Sequence, residues 1–103
     1  MSVTRVTVNA TAAFRDWLDG LRDWRARVAV TSRMDRLAEG NPGDVRPVGG
    51  GVSEMRIHYG PGYRVYFTRR GSTIVLLLVG GDKASQSADI RRAQEMIKEM
   101  KDG

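Results

Sequence analysis

The chain has no cysteine and only one histidine. Without cysteine it can form neither a disulfide nor a thiolate site, which fits a cytoplasmic protein. A transition-metal site usually draws three or more ligands from histidine, cysteine and carboxylates, so this composition argues against zinc. A two-metal nuclease needs clustered carboxylates, whereas Glu54, Asp82 and Asp89 are scattered along the sequence. No metal and no cofactor is therefore expected. No apolar run reaches the roughly 18 residues of a membrane span, and no basic segment leads into an apolar one at the N-terminus. Neither a membrane partner nor a signal peptide is expected. Walker-type phosphate loops and dinucleotide fingerprints are missing too: Gly49-Gly50-Gly51 lacks the lysine and helix that would complete one, and reads as a turn. Nothing marks a nucleophile elbow around which a serine-histidine-acid triad would form.

What the chain does have is a moderate positive charge, +5 over 103 residues. That length supports one core, so residues 1–103 are read as a single domain. The charge favours contact with polyanions. Hydrophobic spacing predicts the order β-α-α-β-β-β-β-α, an α+β domain with an antiparallel sheet, two N-terminal helices and a C-terminal helix packed on one sheet face. Ser2 to Val8 reads as a first strand. Thr11 is placed to cap a helix carrying Phe14, Trp17, Leu18 and Leu21, which Gly20 breaks or bends. A second helix, Asp23 to Ala38, carries Ala26, Val30, Met34 and Leu37 on one stripe and ends at Gly40-Asn41-Pro42-Gly43. Val45 to Val48 is a short strand, and Pro47 suggests an edge position. The last helix, capped by Ser85 or Ser87, puts Ile90, Ala93, Ile97 and Met100 on one face. Asp89 in its first turn suits the helix dipole.

The segment from Val52 to Lys83 is the most patterned. Successive strand side chains point to opposite faces. Met55, Ile57 and Tyr59 thus share one side, with Glu54, Arg56 and His58 on the other. After Gly60-Pro61-Gly62, which suits a hairpin turn with Pro61 first and Gly62 second at its centre, Tyr63, Val65 and Phe67 face one way and Arg64, Tyr66 and Thr68 the other. Thr73 to Val79 is apolar on both faces, as in a covered central strand. If the helices cover the side of Met55 and Val65, then Glu54, Arg56, His58, Arg64 and Tyr66 occupy an open face. An antiparallel sheet commonly has such a wet side, so solvation alone is one explanation. Against it, Arg56 and Arg64 lie near one another across the hairpin, an unfavourable pairing without an anion. Tyr66 offers a ring to a base or a hydroxyl to a phosphate.

Metal-free RNA cleavage must activate a 2′-hydroxyl, stabilise charge on the phosphate and protonate the leaving 5′-oxygen. Arg56 and Arg64 suit the second task, since guanidinium makes planar, bidentate contacts to phosphate. Lys83, His58 and Glu54 are the candidates for proton transfer, and among those types histidine alone ordinarily titrates near neutrality. Trp17 and Trp24 lie on the helical side, as core or partner-groove residues. The five arginines from Arg22 to Arg36 form a solvated helix face or meet RNA phosphates.

Three segments carry a resemblance: FRDWLDGLRD (Phe14 to Asp23), RMDRLAEGNPGDVRPVGGGVSEMRIHYGPGYRVYF (Arg33 to Phe67) and LLLVGGDKASQSADI (Leu76 to Ile90). In that order, over nearly the whole chain, they resemble the addiction-module killer proteins of the RelE/HigB toxin superfamily. The resemblance implies the toxin of a bacterial type II toxin-antitoxin pair that enters the ribosomal A site and cuts mRNA. It also implies a cognate antitoxin, commonly with a helix-turn-helix domain, through which alone operator DNA is bound. Carried onto matching positions, it favours Arg56, Arg64 and Lys83 as catalytic residues, with Glu54, His58 and Tyr66 contacting the substrate. RelE ends in a segment with a functional tyrosine, where this chain has a helix without aromatics, and other HigB toxins rely on histidines, of which only His58 is present. The division between general base and acid stays open. The alternative is a non-catalytic RNA-, ribosome- or protein-binding module of the same fold, an inactive toxin.

Overall fold

The computed structural model describes residues 5–102. Eight elements follow in the expected order: β1 (Thr7–Ala10), α1 (Ala12–Asp19), α2 (Trp24–Ala38), β2 (Val45–Gly49), β3 (Val52–Ile57), β4 (Tyr63–Arg70), β5 (Ile74–Gly81) and α3 (Gln86–Asp102). The expected first strand began at Ser2. Residues 2–4 lie outside the described part, and the ladder starts only at Thr7.

Local chemistry accounts for the helix ends. Thr11 Oγ1 accepts from the Phe14 N–H at 3.0 Å and donates to the Leu78 carbonyl at 2.6 Å, so one hydroxyl caps α1 and ties it to β5. Asp23 caps α2 instead of opening it, accepting from the Arg25 N–H at 2.9 Å. At the far end, Gly40 adopts φ +87°; the Asn41 N–H reaches the Arg36 carbonyl at 2.8 Å and the Gly40 N–H reaches Leu37 at 2.9 Å. These paired bonds satisfy carbonyls the last helical turn would otherwise leave open. The β3–β4 turn is shifted by one residue from the expected one. The Gly62 N–H bonds the Tyr59 carbonyl at 3.1 Å, which makes Gly60, at φ +57°, and Pro61 the central pair.

The strands form one sheet in the order β1-β5-β4-β3-β2. β2 to β5 make an antiparallel meander, with β2 and its Pro47 at one edge as anticipated. β1 joins the opposite edge parallel to β5, so the sheet is mixed where an antiparallel one was expected. The path of the chain accounts for the pairing: α1 and α2 carry it from the β1 edge to the β2 edge, and the meander returns to set β5 beside β1, so the parallel neighbours are joined through all the intervening helices and strands.

The expectation of helices on one face only is corrected. α1 and α2 cover the face carrying Met55, Ile57, Val65, Phe67, Val75 and Leu77, together with Phe14, Val30 and Leu37. α3 covers the other face, packing Ala93 and Ile97 on Val52, Tyr66, Leu78 and Val79. β5 supplies the reason, because a strand apolar on both faces is stable only when both are dry. A bulge strengthens the effect: Tyr66 pairs with Val79 and Phe67 with Leu77, so Leu78 is the extra residue. Glu54 and Tyr66, expected on an open face, therefore have no solvent exposure. No helix among the described residues is long and apolar enough to cross a membrane.

Two successive glycines end β5 because helix side chains lie directly against them. A Cβ at Gly80 would run into the Trp17 ring, and one at Gly81 into Asp89 and Ser85. Gly80→Ala must displace the indole, and overpacking of this kind costs about 1–3 kcal/mol. The unfolding free energy should fall by that amount, read as a lower urea midpoint with an unchanged slope, whereas Gly71→Ala, where a Cβ meets nothing, loses only the smaller cost of its φ of +69°.

Candidate functional site

Where β2, β3 and β4 meet the start of α3, charged side chains cluster around Glu54. Arg46 on β2 faces Glu54 in the strand register, and its Nε donates to Glu54 Oε1 at 3.0 Å. On the second oxygen, Tyr66 OH donates at 3.1 Å and Gln86 Nε2 at 2.9 Å. Arg64 Nε stands 3.6 Å from that oxygen as an ion pair. Burial by itself raises the Glu54 pKa, but the hydrogen bonds from Gln86, Arg46 and Tyr66 and the Arg46 charge outweigh it, leaving the carboxyl below its ordinary value. Burial, and next the charge and hydrogen bond of Glu54, push the Tyr66 phenol well above its ordinary value.

A second carboxylate performs a similar task one step along the edge. Asp44, just ahead of β2, receives Arg56 through Nε at 3.4 Å and Nη2 at 3.4 Å, and His58 Nε2 lies 2.7 Å from its Oδ2. The His58 hydrogen bond, opposed by burial and joined by Arg56, holds Asp44 below the usual carboxylate range. From α2, Arg33 donates to the Arg56 carbonyl at 2.7 Å and to the Pro42 carbonyl at 2.8 Å. It braces the end of β3 and the loop carrying Asp44, so this one of the five arginines is no part of a purely solvated face.

Arg56 and Arg64 are direct register partners, as their hairpin placement implied. The anion such a pair requires is internal: Asp44 serves Arg56 and Glu54 serves Arg64. The like-charge pairing therefore does not by itself call for a bound ligand, and that part of the expectation is corrected. Lys83 follows on the β5–α3 turn. A Cβ built on Gly62 would be 3.3 Å from Arg64 Nη1 and 3.9 Å from Lys83 Cβ, so this glycine lies where the two side chains approach. Ser85 holds the turn, its N–H reaching Asp82 Oδ1 at 3.2 Å and its hydroxyl donating to Asp89 Oδ2 at 2.5 Å. Asp82 is thus a capping partner, while Lys83 is exposed.

Arg56, Arg64 and Lys83 are brought together, with His58 three-quarters exposed at the rim. Glu54 and Tyr66 stand behind them. Tyr66 has neither a ring face nor a hydroxyl open to RNA, and Glu54 is held ionised away from solvent, which removes it from direct proton transfer. Both corrections have the same cause, the lid formed by α3. Arg46, Asp44 and Gln86 were missed. Arg46 meets Glu54 only through the register across the Gly49-Gly50-Gly51 turn, which shifts between Pro47 and Gly49, and Gln86 required the docking of α3. Among the described residues no three histidine, cysteine or carboxylate side chains gather as they would around a metal ion.

Arg46 and Arg64 thus border Glu54, and Arg56 borders Asp44, with Lys83 near Arg64. The domain around them, with two N-terminal helices, a mixed five-stranded sheet and a C-terminal helix, has a RelE-like α+β fold. The solution structure of the conserved hypothetical protein HP0894 from Helicobacter pylori has the same fold: it aligns with a TM-score of 0.50 and 16% identity over 77% of this chain and 96% of its own. The chain belongs to the family described as phage derived protein Gp49-like (DUF891), whose model matches residues 16–101. This family is part of the RelE/HigB-like toxin superfamily. An uncharacterized protein of Haemophilus influenzae is 39% identical over 95 residues, 92% of this chain and 96% of the relative.

The depressed Glu54 pKa fixes a direction. A carboxyl that is more acidic folded than unfolded contributes stability in full above its unfolded pKa and loses it as pH falls through the folded value. Denaturation at stepped pH should therefore show stability falling below the ordinary carboxylate range. Glu54→Gln should lower neutral-pH stability by about 3 kcal/mol, since a buried guanidinium is left uncompensated, and should flatten part of that acid slope. An unchanged slope would count against an ionised Glu54.

Proposed function

We propose that this protein is the toxin of a type II toxin-antitoxin pair, a metal-independent endoribonuclease that cuts mRNA in the ribosomal A site. The observation carrying this reading is the convergence of Arg56, Arg64 and Lys83 at one sheet end, with the arginines held by carboxylates that fix their directions. In-line attack by a 2′-oxygen puts charge on the phosphate oxygens. Preorganised guanidiniums stabilise it without reorganising at the moment of reaction. Family membership supports the choice of a toxin over other polyanion binders.

Proton transfer falls to His58 and Lys83. Asp44 orients the imidazole through Nε2 and leaves Nδ1 free of protein partners among the described residues, as an orienting carboxylate does for a catalytic histidine. Lys83, exposed on a capped turn beside Arg64, supplies a mobile ammonium on a fixed backbone. One of the two takes the 2′-hydroxyl proton, and the other delivers a proton to the departing 5′-oxygen.

The partner in this reading is an antitoxin, commonly a helix-turn-helix protein, and operator DNA is reached only through it. Its seat is the α1–α2 face, where Trp24 is 61% and Val28 53% exposed beside Leu18, across the sheet from α3. Trp17, by contrast, packs against the core.

Arg56→Ala combined with Arg64→Ala should abolish growth inhibition, a loss of about a hundredfold or more in activity, while antitoxin binding persists. Toxicity undiminished at equal expression contradicts the site. A non-catalytic module of the same fold has one observation in its favour, the internal neutralisation of Arg56 and Arg64. It predicts salt-sensitive RNA or ribosome binding with no growth inhibition by the unaltered protein.

A further inference from the structure

Glu54 is the one fully buried charged residue among the described residues, and nothing in the proposed cleavage uses it. A buried carboxylate is poor economy for stability alone, because well-packed apolar residues of similar volume often serve as well or better. Its partners also exceed what neutralisation requires. Tyr66 and Gln86 already occupy one oxygen, yet two guanidiniums approach as well, one on each oxygen.

The way they approach is informative. Arg46 meets Glu54 through a hydrogen-bonded Nε at 3.0 Å, whereas Arg64 Nε stands 3.6 Å away, an ion pair without a hydrogen bond on that nitrogen. Arg64 donates instead from Nη1 to the Gly62 carbonyl at 2.8 Å. The terminal groups of Arg46 make no hydrogen bond among the described residues, and half of that side chain is exposed. Arg46 sits on the edge strand β2 opposite Glu54, one cross-strand row along from Asp44, Arg56 and Arg64, so its exposed end adds a cation beside that row.

We infer that Glu54 is a positioning residue for this basic face: it holds Arg46 by a hydrogen bond on Nε and Arg64 by its charge, and so sets the direction in which their terminal amino groups meet phosphates of one RNA strand. Arg46 is thereby a further phosphate-binding residue. The inference rests on the reading of this face as an RNA site, and extends it inward to a carboxylate that RNA never touches. Simple electrostatics predicts the opposite for Glu54. Removing a negative charge beneath a cationic face should tighten polyanion binding, whereas removing the group that aims two guanidiniums should weaken it.

The test uses the full chain, a short single-stranded RNA and a salt series. Arg46→Ala strips a donor from the buried Glu54 and is therefore compared, like Glu54→Gln, at a temperature where it is folded; it should weaken binding about tenfold and reduce the salt slope by about 0.7, the value of one phosphate contact on a single strand. Arg46→Lys should keep the slope while losing most of the affinity, because the charge remains but the fork does not. Glu54→Gln, compared at a temperature where it is folded, should bind more weakly than the unaltered protein. Tighter binding by Glu54→Gln, or affinity and slope unchanged in Arg46→Ala, overturns the inference. Side-chain NMR separates this from failure of the functional reading. The Nε–Hε resonance of Arg46, the guanidinium hydrogen-bonded to Glu54, should be dispersed and slowly exchanging, and should collapse in Glu54→Gln. If it is independent of Glu54 the positioning role is wrong even where RNA binds; if it depends on Glu54 but no RNA binds, the phosphate-binding role falls with the reading of the face.

Discussion

An ionised carboxylate without solvent must be surrounded by donors, and the rest of this molecule is arranged around supplying them to Glu54. The donors come from β2 through Arg46, from β4 through Tyr66 and from α3 through Gln86, and Arg64 of β4 adds its charge at 3.6 Å. No two of these elements adjoin each other in sequence. The carboxylate therefore cannot be satisfied until the meander has closed and α3 has docked. One polar contact thus couples completion of the fold to assembly of the cationic face.

The geometry of β5 makes that docking possible. Its bulge at Leu78 turns an additional apolar side chain toward α3, and Gly80 and Gly81 let Trp17 from one helical layer and Asp89 from the other come directly against the backbone. The strand then passes straight into the turn that presents Lys83. Asp44, outside this interior network, provides a lesser version of the same device at the rim, where Arg56 and His58 are aimed by a partly exposed carboxylate. Guanidinium directions at both places are set before any ligand arrives, which is what electrostatic preorganisation requires.

Much of the framework was legible in residues. Thr11, Gly40 and Pro47 each announce a local geometry that their own chemistry enforces, and the alternation of Met55 and Ile57 with Glu54 and Arg56 places those side chains on the correct faces. The error concerned what lay over the second face. Glu54 and Tyr66 look like surface residues by pattern, and only the helix above them makes them interior. The clue was the two-sided apolarity of β5, which demands a second cover. Arg46 and Asp44 were obscured differently: their roles depend on the register across the Gly49-Gly50-Gly51 turn and on the path of the loop held by Arg33, both tertiary facts.

Whether a carboxylate-aimed set of arginines with Lys83 cuts RNA on the ribosome is decided by mapping mRNA 5′ ends in a translating extract. New ends are expected within coding sequence when the protein is added, none when ribosomes are removed, and none with the paired Arg56 and Arg64 substitutions. An end profile indistinguishable from that of untreated extract, from a folded protein that binds the ribosome, would contradict such cleavage.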